Sequence, residues 1–244
     1  MNDLSKREKS IVCGLFLSKF DTKGIAALGF NSFKEAFNVF GSAIQVKPAS
    51  IKNYRDEFDP FFPNGRKGWH KRNIRKHCER IFETYQSFDL EEMLQLIFSI
   101  TNCKLNTALE SEESTEAFSK RLLTGLAAEN FFRSNYKVEP EFQESAVEDV
   151  TLLGCGFDFK LKYLGKRPFE AIEVKGISDD RGSILLTKKE YSVANLLGNR
   201  YFLYVVKNFE EQPYAVKFRN PLLSKLSFRK TERIITEVSW NAKI

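Results

Sequence analysis

The chain has 244 residues, a formal charge of +6, and 42% hydrophobic and 29% charged residues, a composition typical of a soluble globular protein. No apolar run approaches the length of a membrane span, so we expect no membrane association, and the charged first ten residues do not resemble a secretory signal. The four cysteines are scattered without a CxxC pair. We therefore expect neither a zinc cage nor a disulfide framework, and a cytoplasmic location.

The first hundred residues are predicted to be helical, because apolar side chains recur there at helical spacing. Two prolines and an Asn-Gly pair predict a loop at 60–65, and helices are expected at about 69–85 and 90–100. The polar, acidic stretch 106–116 predicts a linker. The chain is therefore divided near residue 110 into two predicted domains.

The second part changes to an alternating pattern. A helix is expected at 116–134, and another at 187–197 lies between strand-like segments. The predicted strands are 147–153, 156–163, 168–175, 200–206 and 213–218. The expected fold is α+β or α/β: a helical domain at 1–110, then a mixed sheet flanked by helices at 111–244.

Positive charge is concentrated between residues 47 and 80. This segment has ten basic and four acidic residues, an excess equal to the formal charge of the whole chain. Such a concentration is typical of a surface that binds a phosphate backbone, although a solvated helix face is the alternative. The basic residues are Lys47, Lys52, Arg55, Arg66, Lys67, Lys71, Arg72, Arg75, Lys76 and Arg80.

Residues 33–58 have the pattern of a helix-turn-helix. Ile51, Tyr54 and Phe58 would face inward on the second helix, leaving polar residues outward for base edges, with Arg suited to guanine and Asn to adenine. The alternative is a pair of helices packed in a bundle. The candidate DNA contacts here are Lys47, Ser50, Lys52, Asn53 and Arg55.

The sequence RKGWHKR at 66–72 is a second DNA-binding candidate. Glycine lets the backbone approach a phosphate, and an aromatic ring can stack on a sugar or base. In the alternative interpretation, Trp69 anchors a helix in the core and the cations are solvated. His70 and His77 share a helical face without an evident third ligand, so no zinc site is expected. The candidates are Arg66, Lys67, Trp69, His70, Lys71 and Arg72.

The stretch 154–176 predicts a hairpin with an acidic pair. If Gly165 and Lys166 form a type II′ turn, the numbers of paired residues sum to 331, and Asp158 lies opposite Glu173. We place Asp158 inside its strand rather than at a bend. Alternation then puts Phe157, Phe159 and Leu161 on one face with Ile172 and Val174, and Asp158 and Lys160 on the other with Glu173 and Lys175.

Two facing carboxylates repel each other, and a divalent cation between them would resolve the conflict. Carboxylate-rich, partly hydrated sites suit Mg²⁺, and Lys175 could hold or activate a water beside it. The alternative for Glu173 and Lys175 is an exposed cross-strand ion pair, which leaves the repulsion from Asp158 unexplained.

This D…ExK arrangement resembles the PD-(D/E)xK nuclease superfamily, with Phe157 where the superfamily name has proline. The preceding helix TGLAAENFF and the following ILLTKKEYSVANLLGNRYFLYVV are similar in order to the nuclease-like domain at the C-terminus of the plant protein NO VEIN, a domain also found in bacterial restriction and defence proteins. The resemblance covers about 123–207.

The resemblance implies that Asp158 and Glu173 ligate Mg²⁺, with the Val174 carbonyl as a further ligand, and that Lys175 orients the attacking water. It also implies that Glu129 completes the site from its helix, although an exposed helix residue is the alternative. We expect Glu148 and Asp149 to be loop residues outside the site. Thr187 and Glu190 are expected to form a capping box at the start of a helix and not to support the site.

The sequence therefore predicts a Type II-like restriction endonuclease that cuts a specific site in double-stranded DNA with Mg²⁺ and no small-molecule cofactor. One site per chain cuts one strand, so a homodimer is expected. Two alternatives remain open: a modification-dependent or nicking defence nuclease, and a non-catalytic DNA-binding regulator that keeps the nuclease fold.

Overall fold

The structure is a computed structural model that describes residues 4–101, 115–165, 168–232, 240 and 242. Within those ranges, no helix combines the length and the apolar character that crossing a bilayer requires. Residues 106–114 of the predicted linker at 106–116 lie outside the described residues.

Helices form the first part of the chain, as the sequence predicts. Two of them begin with a capping box, in which Ser5 and Asp89 exchange hydrogen bonds with the glutamate three residues later. The helices are α1 (Lys6–Lys19), α2 (Asp21–Ala27), α3 (Phe33–Ile44), α4 (Pro48–Phe58), α5 (Lys76–Tyr85) and α6 (Leu90–Ile100).

One prediction in this part is wrong. The helix expected from residue 69 begins only at Lys76, because residues 66–75 form a loop held by ion pairs described below. The chain enters that loop through a short 3₁₀ turn, Asp59–Phe61.

The second part is a mixed sheet with helices on both faces. Helix α7 (Thr115–Asn135) precedes the sheet, and α8 (Lys188–Leu197) connects its third and fourth strands. Strands lie in chain order, and only β3 and β4 run parallel within the described sheet. They are β1 (Ala146–Asp149), β2 (Phe159–Lys162), β3 (Glu170–Gly176), β4 (Tyr201–Lys207) and β5 (Tyr214–Arg219).

One hydrophobic cluster runs from the N-terminal helices to one face of the sheet. It includes Phe16 and Phe40 together with Phe159 and Ile172, all buried. A hydrogen bond also connects α7 with α3: the Asn130 side-chain amide donates to the Ala43 carbonyl at 2.9 Å. Helix α7 therefore lies between α3 and the sheet, and it holds the two parts of the chain in a fixed relation.

The opposite face of the sheet is covered by α8. A smaller cluster of Ala171, Ala194 and Tyr201 fills this interface. Glu173 and Lys175 of β3 belong to this face, because they alternate with Ile172 and Val174 of the larger core. The fold therefore places β3, with Glu173 and Lys175, under the first turn of α8.

Candidate active site

The predicted hairpin register is confirmed. Phe159 pairs with Ile172 and Leu161 with Glu170, so the numbers of paired residues sum to 331. Lys166 lies outside the described residues, but Gly165 has the positive φ of 85° that the predicted turn requires of its first central residue. Asp158 lies directly before these paired residues, and its N–H donates to the carbonyl of Ile172, the neighbour of Glu173, at 2.9 Å.

Two details of this segment differ from the prediction. Asp158 lies in a bend before β2 rather than inside the strand, and Phe157 packs with Phe169 and the α8-side cluster rather than on the Phe159 face. Gly156 causes the difference: its φ is +89°, and a Cβ there would lie 2.9 Å from Val193 Cγ2 of α8. Glycine at 156 therefore permits both the bend before Asp158 and the close approach of α8.

Asp158 and Glu173 line one cavity of about 180 Å³ beneath the first turn of α8. Burial, more than any other effect, raises the pKa of Asp158 to about 6, although its Oδ2 accepts a hydrogen bond from the Val174 N–H at 2.8 Å. Burial and then the negative charge of Asp158 raise the pKa of Glu173 to about 8. Both carboxylates are therefore in an environment that disfavours their charged forms.

Lys175 is held between two carboxylates. Its Nζ lies 2.5 Å from Glu173 Oε1 and 3.1 Å from Glu190 Oε2. Burial alone lowers the pKa of this ammonium, but Glu173 and Glu190 more than compensate, so that the pKa lies above its usual value. The lysine is therefore charged at neutral pH and fixed at the edge of the cavity.

Glu190 has two roles, of which the sequence predicted one. The capping box is confirmed: Glu190 accepts from the Thr187 N–H at 2.9 Å, and Thr187 caps α8. The same Oε2 atom accepts the hydrogen bond from Lys175. A helix that connects two parallel strands must pack back onto them, and this topology was the available signal that its first turn reaches β3.

Glu129 of α7 also lies near this site. Burial, followed by the charges of Asp158 and Asp149, raises the pKa of Glu129 to about 7. Asp149 is not a loop residue, and neither is Glu148: both belong to β1. Asp149 forms an ion pair with Arg133 of α7, and its Oδ1 accepts from the Thr151 hydroxyl at 2.7 Å. Asp149 is thus an acidic neighbour that the sequence interpretation missed.

The donor set fits a small, hydrated divalent cation. Among the described residues, no group of three or more His, Cys, Asp or Glu side chains has the arrangement of a metal cage. Mg²⁺ does not need one, because it keeps several waters and is commonly bound by one or two carboxylates. Asp158 and Glu173 supply two largely buried carboxyl groups at one cavity, and a cation between them would offset both the burial that raises their pKa values and the repulsion that Asp158 exerts on Glu173.

Several predicted DNA contacts are engaged inside the protein instead. Arg55 does not point outward as predicted: its side chain is 11% exposed, packs over the Phe33 ring and pairs with Asp56 and Asp59. Arg66 binds the buried Asp59 at 2.9 Å and also pairs with Asp21.

The loop at 66–75 is fixed by a second buried acid, Glu57 of α4. Glu57 pairs with Arg72 and accepts from Arg75 Nε at 2.9 Å and from the Arg75 N–H at 2.8 Å. Both guanidinium groups lie over the Trp69 ring, at 4.4 and 5.0 Å from its centroid. Trp69 is half-buried in a loop and belongs to neither hydrophobic cluster, so it does not anchor a helix in the core, and its predicted contact with DNA stays a prediction.

The other predicted DNA contacts are on the surface, except Ser50, which is half-buried near the start of α4. They are distributed over α4, the residue before it and the 66–75 loop. The helix pair α3–α4 packs on α1 as part of the helical core, and its reading as a DNA-binding helix-turn-helix stays a prediction. The exposed residues are Lys47, Lys52, Asn53, Lys67, His70 and Lys71.

The fold and the site combine a helix, an acidic antiparallel hairpin and a parallel strand reached through α8. Residues 128–219 match the family model "Protein NO VEIN, C-terminal". This segment is therefore similar to a nuclease-like family, and it runs from α7 through β5, including Glu129, Asp158, Glu173, Lys175 and Glu190. Comparisons with curated proteins and with solved structures gave no match.

Proposed function

We propose that this protein is a Mg²⁺-dependent endonuclease of the Type II-like restriction kind, which hydrolyses phosphodiester bonds in duplex DNA. The observation that carries the proposal is the shared cavity of Asp158 and Glu173 with Lys175 fixed beside it, within a segment similar to a nuclease-like family.

Asp158, Glu173 and the Val174 carbonyl would hold Mg²⁺, which when bound supplies a Lewis acid for the scissile phosphate and lowers the pKa of the attacking water. Lys175, charged and held by Glu173 and Glu190, orients that water and offsets the negative charge that grows on the phosphate. Glu129, whose pKa burial raises to about 7, would accept a proton near neutral pH.

The test is cleavage of a sequenced plasmid with Mg²⁺ by wild type, Asp158→Ala and Lys175→Ala. We expect defined fragments from wild type and loss of at least about 100-fold in rate from each variant, since each removes a group of the reacting site. Glu83→Gln on the exposed surface of α5 is the control and should cut like wild type. Binding without any cutting by wild type would favour the non-catalytic regulator.

Two further comparisons distinguish the possible kinds of nuclease. Methylated and unmethylated plasmids, cut side by side, separate a restriction enzyme from a modification-dependent nuclease, and nicked product alone indicates a nicking enzyme. A homodimer is proposed because one site per chain cuts one strand. Sedimentation of the protein on its DNA site tests this, and a 1:1 complex that makes double-strand breaks in one encounter would contradict it.

A further inference from the structure

We propose that α8 and the segment that follows β5 form a surface that binds the phosphate backbone of duplex DNA and leads it into the cavity. We call it the α8 surface. The identity of the ligand rests on the proposed nuclease function, while the surface rests on separate observations. Its cations are Lys188, Lys189, Lys225, Arg229 and Lys230.

The first observation is the path of the chain after β5. A short turn, Pro221–Leu223, brings Leu222 into the cluster that contains Leu197 at the end of α8. Six residues further on, Phe228 lies against Tyr191 in the first half of α8, with ring centroids 6.2 Å apart. The segment therefore runs back along α8 towards the end of the helix where the cavity lies.

The second observation is the charge of this surface. From 212 to 231 the chain has no acidic residue. Lys188, Lys189, Lys225 and Arg229 are exposed, and no ion pair joins any of them to an acid in the described part of the chain. In contrast, every arginine between 47 and 80 pairs with a carboxylate.

Lys230 is the exception on the α8 surface, because it pairs with Glu232, both highly exposed. Such an exposed pair is weak, so a phosphate could replace the carboxylate.

The third observation is continuity with the chemistry. Lys189 lines the cavity that also holds Asp158 and Glu173, so the cations begin at the site and extend away from it. The acid of the first turn of α8, Glu190, is engaged by Lys175 and does not oppose them. Exposed cations, most of them without an ion pair in the described residues, on a surface that continues to the cavity are suited to a polyanion backbone.

The experiment measures DNA binding without cleavage. Fluorescence anisotropy with a labelled 30-base-pair duplex, in EDTA, compares wild type with the double variant Lys225→Ala/Arg229→Ala at several salt concentrations. Neither residue touches the reacting site. Each lost phosphate contact lowers the slope of log K against log salt by about 0.9, so the slope should fall by about 1.8. Between 50 and 200 mM salt, wild-type affinity should drop about 12-fold more than that of the variant.

The matched control is Lys23→Ala/Lys137→Ala, which removes the same charge from exposed positions on α2 and before β1. It should keep the wild-type slope within about 0.3. An unchanged slope in the α8-surface variant, or an equal fall in the control, would overturn the inference, and so would a wild type that does not bind the duplex. Circular dichroism and melting should be the same for all three proteins.

The two proposals can fail separately. A wild type that binds with the expected slope but never cuts would reject the nuclease function and leave the α8 surface intact. A wild type that cuts, together with a variant whose slope is unchanged, would reject the α8 surface alone.

Discussion

Replacing Glu173 by glutamine should remove activity and make the protein more stable. The native carboxyl has a pKa of about 8 against 4.5 for the ordinary group, so at neutral pH the native state keeps a proton that the unfolded chain releases. This linkage penalises the wild-type fold. Glutamine carries no ionisable proton, and its neutral oxygen can still accept a hydrogen bond from Lys175.

The size of the effect follows from the pKa difference. Below pH 4.5 both states of the wild type are protonated and there is no penalty. As the pH rises towards 8, the penalty grows by about 1.4 kcal/mol per unit. At pH 7 the free energy of unfolding of Glu173→Gln should therefore exceed that of wild type by on the order of 1–3 kcal/mol, equivalent to roughly 2–12 °C in melting temperature for a chain of this size.

Urea unfolding at pH 4 and pH 7 without metal measures this difference, with the exposed Glu83→Gln as the control for the chemical change. The control should differ from wild type by less than about 0.5 kcal/mol at both values. Equal stability of Glu173→Gln and wild type at pH 7 would refute the reasoning, and so would a gain that persists at pH 4. The second outcome would assign the effect to packing instead of charge.

Magnesium should reverse the order. A cation that binds only the native state stabilises it by about 2.7 kcal/mol at one hundred times its dissociation constant. Wild type should gain this stability, whereas Glu173→Gln, with one carboxylate left in the pair, should gain much less. A Mg²⁺ titration monitored by melting temperature tests the cation site without any nuclease assay, and equal shifts in both proteins would place the ion elsewhere.

Three other substitutions test the remaining contacts. Glu190→Gln keeps a residue that can cap α8 but removes the negative charge beside the Lys175 ammonium. We expect kcat to fall about 10-fold with little change in KM or melting temperature, and the basic limb of the pH–rate profile to move to lower pH because the pKa of Lys175 falls. An unchanged profile would show that Glu190 only caps the helix. Glu57→Ala should cost about 1–3 kcal/mol in urea unfolding, because Arg72, Arg75 and the Arg75 N–H lose their acceptor. A loss below about 0.5 kcal/mol would contradict this. Gly68→Ala should lower the free energy of unfolding by about 2 kcal/mol, because φ at Gly68 is +51° and a Cβ there would lie 2.3 Å from the Asp56 carbonyl oxygen. Unchanged stability would mean that the loop can shift to accommodate the Cβ.

The sequence was informative where local rules act. Alternation along two short segments and a glycine at the turn were enough for the register of β2 with β3, and a Thr-x-x-Glu pattern was enough for the start of α8. These features depend on residues close together in the chain. For this reason the acidic hairpin and its relation to Lys175 could be predicted without coordinates.

The N-terminal charge was harder to interpret, because a count of charges does not show which acids are buried. Asp59 is 1% exposed and Glu57 is 3% exposed, and together they engage Arg55, Arg66, Arg72 and Arg75. A buried carboxylate needs such partners, so these arginines are committed to the fold. The sequence pattern identified a basic segment correctly, but it could not separate structural arginines from exposed lysines.

The buried acids of the candidate site differ from the buried Asp59 in how they are neutralised. Asp59 accepts hydrogen bonds from Ser18, Asn64 and Arg66, which neutralise and satisfy it. Around the cavity, within the described residues, Lys175 is the one cation that forms an ion pair with Glu173 and Glu190, and Asp158 accepts from a main-chain N–H. A purely structural role gives no reason to retain this excess of acidic groups over cations, since apolar residues there would make the fold more stable. A role in holding a cation against a phosphate does give that reason.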